Sequence, residues 1–569
     1  MDQLYMDRLH MERLYMAWKD RFDRVQMAFK EKFVLMDFPD HKVMAGFCST
    51  SIFCLLLLIL LHLSSDSRGV VPCGDCKLGS ILMSSSTLGL ELAEEEHVRE
   101  VVTNLSSTSS NESEGNLTEN PQQPEVKVIE EWRLPSVTED RPHEKLDDVD
   151  TYGEPRRFMP MGSGAFLFIQ FGAYRGGPKT FAVVGLGTKG LHLHGNPGFN
   201  CSWVSNGDNS TVEGTTMKYY PDWGFGRQYS VVVVNCTFDT EVGVDGSGGR
   251  LEVTANHGTW DHTGLPDVHF VALTEEANKY DGSIFSAPYK YDYLYCGSPL
   301  YGPISPQRIR EWIAYHVRLF GPRSHIILYD AGGIHDDVRK VLEPWIKLGF
   351  VTLENIRQES RYDVYYYSQF LINNDCVFRG KTLANWTFFF DVDEYIYVPN
   401  YLTFDRVMLD YTWKGRRAQQ VHFKQNFMNH NHCRNDSLEA GDRQRRWGFE
   451  KLVYRRTQRT REFGFTNRKY AIQAQYALTA GVHMSTDTTL PEGKDVRHTT
   501  IYEDSKMIYF HYHNTIDNRG ELCGEFIDPS LNATAIDNAA HVLDLGMAVL
   551  ADAVRDFENR TIGPQPFLP

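Results

Sequence analysis

Asp391, Asp393 and Glu394 place three carboxylates within four residues, directly after the apolar run Trp386-Thr387-Phe388-Phe389-Phe390. Burying charge inside such a strand is costly, so a carboxylate group at its end belongs where a ligand or water reaches it. Crowded acids repel one another and call for a cation. Hard divalent ions such as Mn²⁺ or Mg²⁺ take carboxylate and phosphate oxygens together. An ion held by Asp391 and Asp393 would neutralise a departing diphosphate. A hydrolase instead needs two acids about 5 to 10 Å apart across a sugar, which neighbouring acids do not offer.

The elements that must position this group read as a β/α series from about Tyr293 onward. YLYCGSPLYG is a strand and loop. SPQRIREWIAYHVRLFG is a helix with Ser305 as N-cap, Pro306 at its first position and one apolar face of Ile309, Trp312, Ile313 and Val317. HIILYDAGG is a buried strand ending at Asp330, DDVRKVLEPWIKLG a helix, and FVTLENI another strand. RYDVYYYSQFLINNDCVF is expected to be helical, leading into WTFFFDVDEYIYVP. Such a series predicts an open α/β sheet with ligands at the strand C-termini. GxGxxG and GxxxxGKS are both absent, so neither a dehydrogenase nor a P-loop enzyme is supported.

The runs NNDCVFRG and WTFFFDVDEYIYVP, with CGSPLYG and SPQRIREWIAYH before them, resemble glycosyltransferase family 92. Within that family the likeness is to the plant galactan synthases, β-1,4-galactosyltransferases that extend pectic galactan. It covers roughly residues 150–560 and implies a GT-A fold, UDP-galactose as donor, β-1,4-galactan of pectin as acceptor, manganese as cofactor and inversion at the anomeric carbon. An inverting transfer needs a base for the acceptor hydroxyl and electrostatic help for the leaving UDP. GT-A enzymes often carry the base in a WGGE-like turn. Trp447-Gly448-Phe449-Glu450 is similar, with Phe449 in place of a glycine and Lys451 in place of the following acid, so Glu450 is the first candidate base and Glu394 the reserve. The same folds place a metal-binding histidine about thirty residues later, which points to His483, with His511 or His513 for the diphosphate or acceptor. Asp330, Gln369, Asn374, Asp375 and Val392 are the remaining candidates for the donor site.

A β-rich module is expected before the transferase, from about residue 151 to 280. Its runs AFLFIQFGAY, TFAVVGLG, YSVVVVNCTF, RLEVTANHG and VHFVALTEE alternate with Gly, Asn and Asp clusters, as in a sandwich. The resemblance implies a carbohydrate-binding type of module. Cys201 and Cys236 are placed to staple it, and Trp203, Tyr220, Trp223 and Trp260 are candidates to stack on sugar rings, with filling the core as the competing role. The transferase domain is expected over 290–562.

Residues 43–63, VMAGFCSTSIFCLLLLILLHL, hold no Asp, Glu, Lys or Arg. At 1.5 Å per residue they cross a hydrocarbon core of about 30 Å. Arg8, Arg13, Lys19, Arg21, Arg24, Lys30, Lys32 and Lys42 precede the span, against Arg68 and Lys77 just after it. The positive-inside rule then keeps residues 1–42 in the cytosol and sends the body into the lumen as a type II protein. Ten N-x-S/T sequons and eight cysteines follow the span, as expected for a Golgi lumen. Residues 64–150 are Ser-, Glu- and Asn-rich and read as a stem. A net charge of −16 argues against nucleic-acid binding. Ten Lys and Arg residues between Arg443 and Lys469 reverse that charge locally, as a solvated loop or as a contact for donor phosphates or anionic pectin. A homodimer stands among the expected partners. The rival function is a membrane-tethered glycan-binding protein that has lost catalysis.

Overall fold

The computed structural model describes residues 159–568 apart from 162–165, 189–196, 223–228, 258–265, 362–366, 400–401, 414–417, 436–444, 458–467, 490–499, 502–505, 529, 532 and 537–538. The expected tail, span and stem, and Trp223 and Trp260, lie outside the described residues. Among the described residues no helix is long and apolar enough to cross a membrane.

The first sheet has eight strands: β1 (Met159–Met161), β2 (Phe168–Gly177), β3 (Thr180–Thr188), β4 (Gly198–Ser205), β5 (Thr211–Tyr219), β6 (Tyr229–Thr237), β7 (Gly249–Asn256) and β8 (Val268–Glu275). Their order is β1-β2-β3-β6-β5-β4-β7-β8. Because β5 pairs with both β6 and β4, the expected two sheets are one path. It folds over a core containing Phe168, Phe181, Val232, Trp203, Leu251 and Val253. Gln170 Nε2 donates to the Ala272 carbonyl at 2.9 Å and ties β2 to β8 across the fold. The Cys201–Cys236 disulfide links β4 to β6 as the sequence suggested.

The unbroken valine run of β6 has its own cause. Val232 and Val234 face the core of the folded sheet, while Val231 and Val233 join a second core with Leu371, Ile372 and Val377 of the transferase. A strand buried on both faces loses its polar alternation. The β-rich region and the transferase therefore share apolar packing.

The second sheet begins with β9 (Tyr291–Cys296), then α1 (Pro306–Phe320), β10 (Ser324–Asp330), α2 (Asp336–Lys347), β11 (Val351–Asn355), α3 (Gln369–Gly380) and β12 (Ala384–Phe389). These strands are parallel in the order β11-β10-β9-β12. The chain continues through β13 (Glu394–Tyr397), α4 (Phe404–Trp413), β14 (Gln420–Phe427), the short α5 (Gly448–Lys451), β15 (Arg468–Ile472), β16 (Ile508–His511) and α6 (Ala551–Ile562). Beyond β12 the order is β15-β14-β16-β13, with β15 antiparallel to β12. The result is a mixed α/β sheet.

Ser305 caps α1 by accepting from the Arg308 amide, as its sequence position predicts. The Tyr-rich helix is shorter than expected. Tyr367 and Ser368 have φ of 53° and 71°, so α3 starts only at Gln369. Left-handed backbone cannot continue a right-handed helix, and the turn sets the helix start beside the acidic cluster. Disulfides Cys296–Cys376 and Cys433–Cys523 fix β9 to α3 and the short strand His432–Arg434 to the loop at Cys523.

Candidate active site

Asp391, Val392 and Asp393 form the turn between β12 and β13. The turn is closed twice: the Glu394 amide donates to the Asp391 carbonyl at 3.1 Å, and the Asp391 amide donates to Glu394 Oε2 at 2.7 Å. Aromatic donors fix the flanking carbonyls. Tyr295 Oη donates to Phe390 O at 2.8 Å and Trp312 Nε1 to Glu394 O at 3.0 Å. These side chains come from β9 and α1, which explains why the β/α series must precede the turn.

The cations come from farther along the chain. Lys469 Nζ lies 2.7 Å from Asp391 Oδ2 and 3.6 Å from Glu394 Oε2. The antiparallel pairing Phe389↔Tyr470 sets β15 so that Lys469 meets the acidic turn. Gln369, at the first position of α3, donates to Asp391 Oδ1 at 2.9 Å. His511, at the end of β16, has Nε2 3.5 Å from Asp393 Oδ2 and Nδ1 3.7 Å from Glu394 Oε1. Gln425 of β14 bonds to His511 Nδ1.

Burial opposes charge on Asp391, Glu394, Lys469 and His511, and pairing overturns it at all of them except Glu394. Burial would raise the Asp391 carboxyl, but the Lys469 ammonium holds it below the usual value. Burial lifts Glu394 to about 7 despite Lys469, with Asp391 adding to the rise. Burial would lower His511, but Asp393 and Glu394 hold it up at about 9. Burial would likewise lower Lys469, and Asp391 and Glu394 instead push it upward.

The donor set can be tested against a divalent cation. Asp391 and Asp393 offer carboxylate oxygens. His483 Nδ1 is 2.9 Å from the Arg468 carbonyl, which only accepts, so the ring proton sits on Nδ1 and Nε2 keeps its lone pair. Burial, reinforced by Lys469, drives His483 down to about 4, so it is neutral. A neutral imidazole oriented through its other nitrogen is the usual form of a metal-binding histidine. The residue types fit Mn²⁺. Among the described residues no three such side chains converge on one point, as Asp391 turns to Lys469 and Asp393 to His511.

Other candidates fall elsewhere. Glu450 has Oε2 2.6 Å from Arg555 Nη1 and accepts from the Trp447 amide at 3.3 Å. These partners lie outside the acidic cluster, and Gly448, Phe449 and Leu452 share with Val392 and Asp393 the lining of one small cavity. Asp375 is a correction to the donor set. It is fully buried and bound by Tyr174, Tyr329 and Arg379, an internal joint between β2 and α3. Asn374 is also internal: its amide bonds Phe370 and Ala480, fixing the loop that carries His483. Asp330 accepts from the Gly332 and Ile334 amides and pairs with Arg357 at 2.8 Å, shaping its own loop. His513 is exposed, with its ring edge-on to His511 at 5.2 Å. Trp203 is 1% exposed and stacks on Phe181 in the sheet core, which leaves no face for a sugar. Tyr220 is half-buried beneath Lys218.

Sequence alone places Lys469 within the basic run without joining it to the acids, and it gives no sign of Gln425. The signal available for Lys469 is a lone lysine leading the apolar strand YAI. The rest of the described basic run is largely paired: Lys451 with Glu521, Arg455 with Asp544, and Arg446 with Glu450.

Comparison with known proteins gives concordant results. The profile of Glycosyltransferase family 92 matches residues 291–540. Galactan beta-1,4-galactosyltransferase GALS1 of Arabidopsis thaliana is 45% identical over 424 residues, 74% of this chain and 81% of that one. GALS3 is 42% identical over 433 residues, with the same coverages, and GALS2 is 43% identical over 418 residues, 72% of this chain and 76% of its own; both carry the same activity in their names and come from the same plant. Among solved structures, galactosyltransferase LgtC with donor and acceptor sugar analogs aligns over 32% of this chain and 58% of its own, at 9% identity and a TM-score of 0.18. A likeness at that score says nothing about function.

Proposed function

The chain belongs to glycosyltransferase family 92, and from that premise we propose that it is an inverting transferase of GT-A type moving galactose from UDP-galactose onto the β-1,4-galactan of pectin. The names of the three Arabidopsis relatives support the sugar and the acceptor. The observation that carries the reading is the meeting of Asp391 and Asp393 with Lys469 and His511 at the end of β12.

Asp391, Asp393 and His483 would hold Mn²⁺, whose bound charge would offset that of the leaving diphosphate. Lys469 holds the Asp391 carboxylate ionised and in place, and adds a fixed positive charge beneath the turn. His511 orients Asp393, and exposed His513 stands beside His511. Glu450 takes the acceptor proton, with the Arg555 guanidinium holding it in place. Aromatics of the β-rich region other than Trp203 remain candidates for glycan contact. The rival reading, an inactive glycan-binding protein, is weakened by the burial of Trp203.

The proposal includes a single span at residues 43–63 with the transferase in the Golgi lumen, and three disulfides support an oxidising compartment. The test is transfer from UDP-galactose to a galacto-oligosaccharide by the full chain, with Mn²⁺ or with EDTA, followed by linkage analysis. The expected result is metal-dependent addition of one β-1,4-linked galactose. Turnover with another donor but not with UDP-galactose would sink the galactosyl assignment, and undiminished activity in EDTA would sink the metal.

A further inference from the structure

Behind the acidic turn lies a cavity of about 10 Å³, lined by Val392 and Asp393 on one side and by Arg308, Glu311, Gly448 and Tyr512 on the other. That is room for one group the size of a hydroxyl or a water. Its walls are rigid. Arg308 Nη2 pairs with Glu311 Oε1 at 2.8 Å, Glu311 Oε2 accepts from the Gly448 amide at 2.8 Å, and the Tyr512 amide donates to the Asp393 carbonyl at 2.9 Å. Gly448 has a steric reason to be glycine: a Cβ there would stand 1.9 Å from Arg308 Nη1.

Tyr395, Phe449, Leu452, Ile516 and Leu522 also line the niche, so its polar groups are few, and they are unfinished. Arg308 is 7% exposed, yet its Nε and Nη1 have no hydrogen-bond partner, and neither does the buried Tyr512 Oη. Buried polar groups are nearly always satisfied, and those left without a partner call for an explanation. Two cationic donors, one phenol and a neighbouring carboxylate suit a neutral group that accepts and donates at once. Glu311 already balances the charge of Arg308, so an anion is not called for.

We infer that this niche receives one hydroxyl of the sugar being transferred, with Arg308 donating to its oxygen and Tyr512 or Asp393 accepting a hydrogen bond from it. The inference rests on the galactosyl-transfer reading, which sets the transferred sugar beside the acidic turn. A site built to bond a hydroxyl rejects the analogue that lacks it, because its own buried groups are then stranded. Arg308 and Tyr512 would thus determine donor specificity.

A double-mutant cycle between protein and substrate tests this. The full chain, Tyr512→Phe and Arg308→Lys are assayed for kcat/KM with UDP-galactose and with its 2-, 3-, 4- and 6-deoxy forms. With UDP-galactose, Tyr512→Phe should cost about 10-fold, the scale of one buried hydrogen bond. With one of the deoxy donors the same substitution should cost under about 2-fold, because its partner is already gone. A purely structural lesion would cost the same factor on every donor. Equal losses across all four deoxy donors would overturn the assignment and leave the niche to water; coupling seen only with deoxy acceptors would overturn it in favour of the acceptor. Tyr512→Phe preserves shape, so the cycle stands if Arg308→Lys fails to fold. Absence of UDP-galactose turnover by the unmodified chain would strike the galactosyl reading instead, and the cycle would then be run on the UDP-sugar that is used.

Discussion

Asp391 and Glu450 each meet a cation at close range, Lys469 at 2.7 Å and Arg555 at 2.6 Å. Their surroundings differ. The Lys469 side chain is 3% exposed and that of Asp391 30%, while Arg555 and Glu450 are 28% and 15% exposed; the buried partner of Lys469 is Glu394, at 1%. Lys469 serves two carboxylates inside the sheet; Arg555 lies on α6 and is shared between Glu450 and the exposed Asp552. Removing Lys469 strands the buried Glu394 away from water, whereas Arg555 and Glu450 have water as a partial substitute. The first pair is therefore tied to the fold as well as to any chemistry, and the second is free to serve chemistry alone.

The sharpest way to break this contrast is Lys469→Met. It leaves Asp391 with Gln369 and Glu394 with His511 but takes away the cation between them, and should cost about 3–5 kcal/mol of stability together with all transfer activity. Thermal unfolding and UDP release measure both, and an unmoved melting temperature would show that the pair is not buried in solution. Lys469→Arg, keeping the charge, should recover part of the stability.

Replacing Asp391 and Asp393 together by Asn should lower kcat/KM by at least about 100-fold, the scale of losing a preorganised charge at the leaving group. The unfolding curve should shift far less than in Lys469→Met, since Lys469 keeps Glu394. Full activity would remove the acidic turn from the mechanism.

Glu450→Gln tests the outer pair. As the base it should reduce kcat by about 100-fold or more with KM little changed. A loss under about 3-fold would make Glu450 a brace for α5 and leave the base unassigned. The smallest effect belongs to Arg555→Gln, expected to cost about 1 kcal/mol or less, with a loss of rate that grows as salt screens the remaining charges.

The acidic turn was legible because its residues are contiguous. Four residues following an apolar strand carry their own signal, and neither their spacing nor their type depends on the rest of the chain. The β/α order, the Ser305 cap and the Cys201–Cys236 staple were legible for similar reasons, as local periodicity and strand count constrain them. The Tyr-rich helix was overextended because a left-handed pair at Tyr367 and Ser368 leaves no signature in residue types that elsewhere favour helix or strand. Trp203 shows the opposite failure. Its type suits a sugar platform or a core equally well, and only packing against Phe181 decides.

What the sequence determined by itself was therefore local: which stretches are strands or helices, where carboxylates crowd, and which family the chain resembles. Tertiary structure decided the partners. Lys469 stands 78 positions after Asp391 and meets it only because β15 runs antiparallel to β12 in one particular register. Val231 and Val233 acquired a second buried face only when α3 docked on β6. Asp375 became an internal joint through Tyr174, which lies 201 positions away. Such meetings are set by the free energy of packing two distant surfaces together, a quantity that no short window of residue types contains.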